Sequence, residues 1–494
     1  MFGAKSSAAY LPELRALNHY EQEDTYGYDA QYYAQIAMRP HIADPELKQA
    51  VDSLPYRARR ILFCWTAYGL ALGDPARALH IYAAQNMVCW LLLAWLLLRW
   101  FPPVSWGNYG RWLGVLFAYG LCFSVRGSLV DGPSLLLIAA GVALAETGRP
   151  WWAAAVLGVA GLGKETNVLG AAALAPKTAG SRRDWTRSAA QCALVALPLA
   201  LWLALIWRWL GPDGGMGLRN FGAPFAAYFQ KWRIAVAHIA AVGPSSPEKW
   251  SVLMLVSVTV QFLFFALRPR WDDPWWRVAV SYAVLMAFLG EAVWEGYPGA
   301  ASRVLLPMTL AFNILVPRGG LRWTALLLAG NLTVLVTTDL VHMPGRESYR
   351  VEGPRALRMA ETNGHIVEAN FDGQWYQVER SWLEYWRWSK GSAAVTLRNP
   401  HPFALRVNAT FDLRALDRRT LVLQSGGRTL WKHTVSLAEP GHIELRDLRL
   451  EPGETVLRCE TDRPAIAPVG DEHRLVAFNL RNLKLEILGR ADGS

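Results

Sequence analysis

Residues 78–100 read ALHIYAAQNMVCWLLLAWLLLRW, an apolar run that decides the class of this fold. As an α-helix rising ~1.5 Å per residue, the run is long enough to cross the ~30 Å hydrocarbon core of a bilayer. The composition agrees, since 52% of the 494 residues are hydrophobic and only 18% are charged. The sequence therefore predicts an α-helical polytopic membrane domain, with further spans over the apolar runs 112–125, 133–145, 188–210, 251–267, 278–293, 304–316 and 323–341.

The basic residues predict how these spans are oriented. Connections rich in arginine and lysine face the cytoplasm under the positive-inside rule. Such connections alternate along the chain, at 99–111, 149, 177–187, 268–277 and 318–322. The connections between them then face outward, as does everything after residue 340. The net charge of +10 thus reflects mainly the excess of arginine and lysine in the cytoplasmic loops, and no basic block indicates nucleic-acid binding.

The N-terminal segment 1–55 contains no apolar run fit for a span or a signal peptide. The next apolar stretch, 61–73, would be about 20 Å long as a helix, too short to cross a bilayer comfortably. We therefore expect an interfacial helix there, which leaves the segment 1–55 facing outward. The arginines within 57–60 favour the opposite orientation, because they could hold that end inside.

One carboxylate in this segment has the character of a catalytic group. Residues 26–33 read YGYDAQYY, and Asp29 is the only acid between Tyr28 and Met38. A helix N-terminus favours the ionised form of an acid in its first turn, which suits a general base that takes a proton from a hydroxyl. The neighbouring tyrosine rings offer an apolar face and a polar tip to a sugar or a lipid headgroup. The structural alternative is an acid at the start of an amphipathic interfacial helix.

The segment 151–176 predicts a short re-entrant hairpin. Its two apolar stretches, 151–163 and 168–175, are each too short to span, and a polar connection that begins with Lys164 and Glu165 joins them. The hairpin would place both side chains at membrane depth, where ionisable groups are costly and commonly functional. The alternative is that Lys164 and Glu165 neutralise each other and only hold the hairpin together.

The character of the chain changes after residue 345. Apolar and polar residues alternate over 403–413, as in a half-buried strand, and SGG at 425–427 marks a hairpin turn. Several such strands with Gly and Pro turns predict an antiparallel β-sandwich domain over 346–494. Aromatic residues are concentrated over 375–388. Exposed rings there would stack on sugar faces or lie at the bilayer interface, whereas buried rings would only be part of the core.

Several stretches together resemble a bacterial family of GT-C-type membrane glycosyltransferases associated with cell-surface glycopolymers. They are GYDAQYY at 27–33, YRARRIL at 56–62, SVRGSLVDGP at 124–133, KET at 164–166 and SRVLLP at 302–307. The family is similar in carrying an acidic catalytic residue in its first outward loop, which corresponds to Asp29, and it generally takes sugar from a polyprenyl-phosphate carrier. The chain departs from the family at Ala30, where Gly is usual, and in lacking the helix that normally precedes the acidic loop.

The resemblance and the residues imply an inverting transfer of a hexosyl or pentosyl group from a lipid phosphate to a glycan or lipid acceptor. Asp29 would be the general base, and cations would hold the leaving phosphate. The candidate phosphate-binding residues are Lys164, Arg303, Arg59 and Arg60, and the candidate supporting or substrate-binding residues are Tyr28, Gln31, Tyr32, Asp131, Glu165, Glu291 and Glu295. The structural alternatives are an interfacial anchor for Arg303 and a topology signal for Arg59 and Arg60.

No certain cofactor is expected. Glu21, Glu23 and Asp24 permit a divalent cation close to Asp29, but their spacing is not that of a metal site, and the cysteines form no metal-ligand or disulfide pattern. Nucleotide-binding loops and a nucleophile elbow are absent from the sequence.

Two functions of other classes remain open from the sequence. A lipid-linked sugar flippase or transporter would also place charges at membrane depth, and a non-catalytic polysaccharide assembly factor would use only the aromatic-rich β domain. For the enzyme, we expect a multi-pass protein of the bacterial inner membrane, in contact with membrane lipids, whose transmembrane domain covers 56–345. Asp29 and the domain 346–494 would face the periplasm.

Overall fold

The computed structural model divides the chain into two compact units, Met1–Leu340 and Val341–Ser494. The residues that it describes are 2–17, 19, 21–22, 26–212, 215, 217–242, 246, 248–340, 350–352, 367–380, 385–468 and 474–491. Each unit has its own hydrophobic core, the first built from helices and the second from strands. The two units are therefore described separately.

The first unit is helical. Its α-helices are α1 (Pro12–Ala16), α2 (Ala30–Met38), α3 (Pro45–Ala50), α4 (Leu54–Arg57), α5 (Leu62–Leu70), α6 (Pro75–Leu97), α7 (Trp106–Leu116), α8 (Tyr119–Arg126), α9 (Asp131–Glu146), α10 (Pro150–Gly163), α11 (Arg182–Leu210), α12 (Ala226–Val242), α13 (Glu248–Leu267), α14 (Pro274–Phe288), α15 (Glu291–Trp294), α16 (Ala301–Val304), α17 (Leu306–Leu315), α18 (Leu321–Ala329) and α19 (Thr333–Val336). Its 3₁₀ helices are Ala4–Ala9, Ala58–Arg60, Glu165–Leu174, Leu218–Asn220 and Thr337–Leu340, and its strands are β1 (Phe2–Gly3) and β2 (Glu21–Gln22).

Three of these helices, α6, α11 and α13, are long and apolar enough to cross a membrane by length and composition. They coincide with the predicted runs 78–100, 188–210 and 251–267, so the prediction of membrane helices is confirmed there. The runs 133–145 and 278–293 give shorter helices, α9 with 16 residues and α14 with 15. Large apolar side chains on α6 and α11 are exposed, as lipid-facing residues would be, for example Leu91, Trp95, Leu201 and Trp207.

Two other predicted spans are wrong as single helices, because local chemistry and tertiary contacts interrupt them. The run 112–125 is split between α7 and α8 at Ala118, whose backbone is not helical (ψ 133°). The run 304–316, by contrast, lies mostly in one helix, α17, which begins at Leu306 with Pro307 in its first turn, where a proline is tolerated. The run 323–341 breaks at Gly330, which packs so closely on the Phe312 ring that an added Cβ would lie 2.2 Å from it.

The second unit contains the predicted antiparallel strands. They are β3 (Arg350–Glu352), β4 (Glu368–Phe371), β5 (Glu379–Arg380), β6 (Tyr385–Trp388), β7 (Ala393–Asn399), β8 (Leu405–Ala415), β9 (Arg419–Ser425), β10 (Arg428–Val435), β11 (Gly441–Leu450), β12 (Gly453–Thr461) and β13 (Phe478–Arg490). They form a five-stranded sheet in the order β10-β9-β12-β7-β4 and a six-stranded sheet in the order β11-β8-β13-β6-β5, with β3 added parallel to β13. Buried residues of both sheets make one core between them.

The alternation read from the sequence is present in β8. Its residues 405, 407, 409, 411 and 413 are buried and the residues between them are more exposed. The turn at 425–427 joins β9 to β10, with positive φ at Gly426 and Gly427. Of the aromatic residues over 375–388, Trp375 belongs to the core and Trp386 and Trp388 are half-buried, whereas Trp382 lies outside the described residues.

Candidate active site

The helical unit contains a cavity of about 970 Å³ that brings most of the predicted site residues together. Its wall includes the candidate base, the candidate phosphate-binding cations and several tyrosines. The predicted residues among its lining are Tyr28, Asp29, Arg59, Arg60, Asp131, Lys164, Glu165, Glu295 and Arg303. A second part of the wall is apolar and is formed mainly by Leu285, Leu289, Val293 and Val304. The lining of the cavity is thus amphipathic, with both polar and apolar side chains.

Asp29 is the N-cap residue of α2, yet its side chain makes no capping hydrogen bond. Instead, its Oδ1 lies 3.0 Å from Nη1 of Arg57. The helix that follows is anchored in a core, because Tyr33, Ile36 and Ala37 are buried against α5 and α6. Asp29 itself is about one-third exposed (35%) and reaches the cavity from a rigid element.

Arg57 is a site residue that the sequence interpretation missed. Its Nε and Nη2 donate to the two carboxylate oxygens of Asp52, at 3.0 and 2.7 Å, while Nη1 contacts Asp29. Burial opposes its charge, but the carboxylates of Asp52 and Asp29 together hold the pKa of Arg57 above its ordinary value. The sequence did contain a hint of this role, because Arg57 is the first arginine of the motif YRARRIL, two residues before the arginines that were proposed to bind phosphate.

Lys164 and Arg303 converge on one buried carboxylate, that of Asp131. Nζ of Lys164 lies 2.5 Å from Oδ1, and Nη1 of Arg303 lies 3.2 Å from Oδ2. Arg303 also donates to the hydroxyl of Tyr28 at 2.8 Å, and burial raises the pKa of that phenol. These groups form a cluster with two cations and one anion, and its net charge of about +1 is directed at the cavity.

The backbone explains why these residues meet. Gly120 of α8 packs against the backbone of Ser302, and an added Cβ would lie 2.2 Å from the Ser302 carbonyl oxygen, so only glycine allows the approach that brings α16 and Arg303 to this point. Asp131 begins α9 at a turn that is closed by Ser124, whose Oγ accepts a hydrogen bond from Gly132 N at 2.8 Å. Two of the matched motifs, 124–133 and 302–307, therefore meet in space.

The alternative that Lys164 and Glu165 neutralise each other is wrong. Lys164 has extended backbone (φ −162°, ψ 131°) and Glu165 begins the following 3₁₀ helix, so the two side chains leave the chain in different directions. Glu165 instead accepts a hydrogen bond from Nε of Arg60 at 2.9 Å, and Arg60 also donates to the hydroxyl of Tyr33 at 2.8 Å. Burial raises the pKa of Tyr33 to about 12, so this phenol stays protonated at neutral pH.

The ring of Tyr56 contacts all three arginines of its motif. Its ring lies 5.4, 5.5 and 5.3 Å from the guanidinium carbons of Arg57, Arg59 and Arg60, distances at which cation–π attraction stabilises each charge. Its hydroxyl also accepts a hydrogen bond from Asn220 at 3.0 Å. The three cations are thereby distributed around one ring, with Arg59 and Arg60 facing the cavity.

Three predicted residues do not line the cavity. Gln31 is buried and donates to the Tyr26 carbonyl at 2.6 Å, Tyr32 packs beside Arg57, and Glu291 is exposed at the start of α15. Glu295 does line the cavity, but it pairs at 3.0 Å with Arg219, and both side chains are largely exposed. These four positions contribute to the support or rim of the cavity.

The rim formed by residues 295–300 rests on a buried ion pair that the sequence analysis did not identify. Nζ of Lys231 in α12 lies 3.0 Å from Glu248 in α13 and donates to the Gly296 carbonyl at 3.0 Å. The turn from Gly296 to Gly299 is tight, because an added Cβ on Gly299 would lie 2.6 Å from the backbone of Trp294. This turn leads directly into α16 and Arg303.

A metal site is not evident in the part of the chain that the structure describes, where no group of three His, Cys, Asp or Glu side chains could hold an ion. Glu23 and Asp24, which permitted a cation in the sequence, lie outside the described residues, as does the side chain of Glu21.

No protein-family model matches the chain, and no curated protein sequence matches it. Solved structures similar to it include the arabinosyltransferase EmbB from Mycobacterium smegmatis, 11% identical over 93% of this chain and 62% of that chain, with a TM-score of 0.26. They also include a family 35 carbohydrate-binding module from Clostridium thermocellum, 10% identical over 24% of this chain and 93% of that chain, with a TM-score of 0.14. Neither TM-score is high enough to establish a shared fold, and the chain spans less than two thirds of the arabinosyltransferase.

Proposed function

We propose that the protein is a GT-C-type membrane glycosyltransferase that moves a sugar from a polyprenyl-phosphate donor to a glycan or lipid acceptor, with inversion. The observation that carries this proposal is a single cavity whose wall holds a partly exposed carboxylate, Asp29, and a cation cluster, Lys164 and Arg303 around Asp131. The active site and the β domain would face the periplasm of a bacterium. The donor, the acceptor and membrane lipids would be its partners.

The reaction needs two kinds of group on opposite sides of the transferred sugar. Asp29 takes the proton from the acceptor hydroxyl as its oxygen attacks the anomeric carbon. The bond from that carbon to the phosphate oxygen breaks, and the phosphate leaves with the electron pair. Lys164 and Arg303 stabilise the charge that develops on this oxygen. Arg59 and Arg60 are further cations in the same wall.

The amphipathic wall suits a donor of this kind. Apolar lining residues such as Leu285, Leu289 and Val293 would accept the first isoprene units of the lipid, and the aromatic rings of Tyr28 and Phe123 would contact the sugar. Arg303 packs over both of these rings, at 5.6 and 5.5 Å from their centroids. A phosphate held by Arg303 would therefore lie next to aromatic faces.

The decisive experiment is transfer of labelled sugar from a polyprenyl-phosphate donor by the purified protein, comparing the parent with Asp29→Asn. Loss of a general base should lower turnover by about 10²-fold or more, with folding retained. Asp74→Asn is the matched control, because Asp74 caps α6 and does not line the cavity. Near-normal turnover by folded Asp29→Asn would reject Asp29 as the base. No transfer by the parent, with flipping of the donor across vesicles, would favour the transporter.

A further inference from the structure

We propose that Arg57 is a positioning residue that holds the Asp29 carboxylate in the orientation needed for proton removal. This inference rests on the proposed function, in which Asp29 is the base. Arg57 does not line the cavity and would not touch the substrate. Its role would be exerted entirely through Asp29.

The hydrogen-bond geometry fixes the plane of the guanidinium. Asp52 accepts from Nε and Nη2 at 3.0 and 2.7 Å, a bidentate arrangement that removes rotational freedom from the arginine. Asp52 is fixed in turn, because its Oδ1 also accepts from the backbone N–H of Ser53 at 2.7 Å. The remaining nitrogen, Nη1, lies 3.0 Å from Oδ1 of Asp29 and forms an ion pair with it.

Packing restricts the same side chain further. The guanidinium carbon lies 5.0, 5.8 and 5.4 Å from the ring centroids of Tyr32, Tyr33 and Tyr56. The Arg57 side chain is only 9% exposed, whereas that of Asp29 is 35% exposed. A buried, immobile cation thus contacts a carboxylate that is open to the cavity, which is the arrangement needed to orient a reactive group.

The contact leaves one oxygen of the base available. Arg57 pairs with Oδ1 at 3.0 Å, and among the described residues no hydrogen bond to Oδ2 of Asp29 is present. Because the carboxylate is planar, fixing Oδ1 also fixes the direction of the free oxygen. We therefore assign Oδ2 as the atom that receives the proton of the acceptor hydroxyl.

The test compares steady-state kinetics of Arg57→Gln and Arg57→Lys with the parent. A carboxylate displaced by about 1 Å can cost about 10²-fold in rate, so Arg57→Gln should lower kcat by about that factor with the donor KM unchanged. Arg57→Lys keeps a cation that can reach one carboxylate, and it should recover at least a tenth of the parental kcat. A residue that only stabilised the fold would leave kcat per folded molecule parental, so kcat is normalised to the folded fraction of each variant.

Two further variants separate positioning from folding. Arg57→Gln combined with Asp52→Asn leaves no unpaired Asp52 carboxylate, so it should fold better than Arg57→Gln alone and yet keep the low kcat. Arg39→Gln is the control, since Arg39 pairs with Glu13, Asp44 and Glu46 in the same region without lining the cavity, and its kcat should stay parental.

The outcomes distinguish this inference from the proposed function. Parental kcat in folded Arg57→Gln would overturn the positioning role while leaving Asp29 as the base. A raised donor KM with unchanged kcat would also overturn it, because Arg57 would then act in donor binding. Equal losses in Arg39→Gln and Arg57→Gln would overturn it in favour of general packing. Absence of transfer in the parent itself would reject the proposed function and the positioning role together.

Discussion

Substituting Asp131 by Asn should have opposite effects on stability and on phosphate binding. The Asp131 carboxylate is nearly buried (6% exposed) between Nζ of Lys164 and Nη1 of Arg303, at 2.5 and 3.2 Å. The amide keeps the shape of the carboxylate and removes its charge. Two cations would then face each other without the anion that neutralises one of them.

The magnitudes follow from this charge balance. Removing one partner of a buried ion pair typically costs about 3–5 kcal/mol, because the remaining charge is left unpaired. Asp131→Asn should therefore lower the free energy of unfolding by about that amount. The net charge of the cluster would rise from about +1 to about +2, and one additional charge-assisted contact is worth roughly 1.5–3 kcal/mol. A bound lipid phosphate should gain about ten- to a hundredfold in affinity.

The cation variants should behave in the opposite way. Lys164→Ala and Arg303→Ala each leave Asp131 paired with the other cation, so the stability loss should be smaller than for Asp131→Asn. The net charge of the cluster falls to about zero in both. Affinity for the phosphate should decrease about ten- to a hundredfold.

The assay is calorimetric titration of the protein in nanodiscs with a polyprenyl monophosphate, together with thermal unfolding in its absence. Arg219→Gln serves as control, since Arg219 is an exposed cation paired with exposed Glu295 and should leave both quantities parental. Weaker phosphate binding by folded Asp131→Asn would refute the reasoning, because the cluster would then need the anion to present its cations. If Asp131→Asn, Lys164→Ala and Arg303→Ala all bind the polyprenyl phosphate like the parent, the phosphate does not bind next to this cluster.

Two further predictions concern the membrane and the β domain. Single cysteines are placed at positions 26 and 426 in a background without the five native cysteines. Both should react with an impermeant reagent from the periplasmic side. Labelling at 426 alone would place Asp29 in the cytoplasm and contradict the proposed site. Trp375→Ala should destabilise the β domain by about 3–5 kcal/mol, because Trp375 is buried, packs on Phe371 and Phe478 and donates to the Ala394 carbonyl at 2.8 Å. An unchanged unfolding transition of that domain in the full-length protein would contradict the predicted loss of stability.

The sequence was informative where local chemistry decides structure. Alternation over 403–413 predicted β8, because in a strand each side chain faces away from its neighbours and one face must be buried. The span over 323–341 failed for the converse reason. Its interruption depends on contacts between distant residues, such as Gly330 on Phe312 and the exchanged hydrogen bonds of Asn331 and Asn313, and hydropathy does not record these contacts.

In the site, too, individual residues could be predicted from the sequence, whereas their contacts with distant residues could not. Asp29, Lys164 and Arg303 were selected as ionisable residues in unusual sequence surroundings, and the structure brings all three to one cavity. Asp131 and Glu165 were proposed as supporting residues that could orient these cations, but the pairing of each with a particular cation was not predictable, because Asp131 and Lys164 are 33 residues apart and Asp131 and Arg303 are 172 apart. Arg57 was missed because a cluster of arginines beside an apolar stretch also fits a topology signal, and only the contacts of each side chain separate the two roles.

The two aspartates of the cavity lining, Asp29 and Asp131, have surroundings that suit different tasks. A general base must be reachable by its substrate and must be able to take up a proton, so it cannot be saturated by cations. Asp29 meets these conditions, since it is partly exposed and shares its one arginine with Asp52. Asp131 does not, because it is buried and holds two cations of its own. Asp131 is therefore better suited to fixing Lys164 and Arg303 than to accepting a proton, and exchanging the two roles would require a substrate to displace both ion pairs.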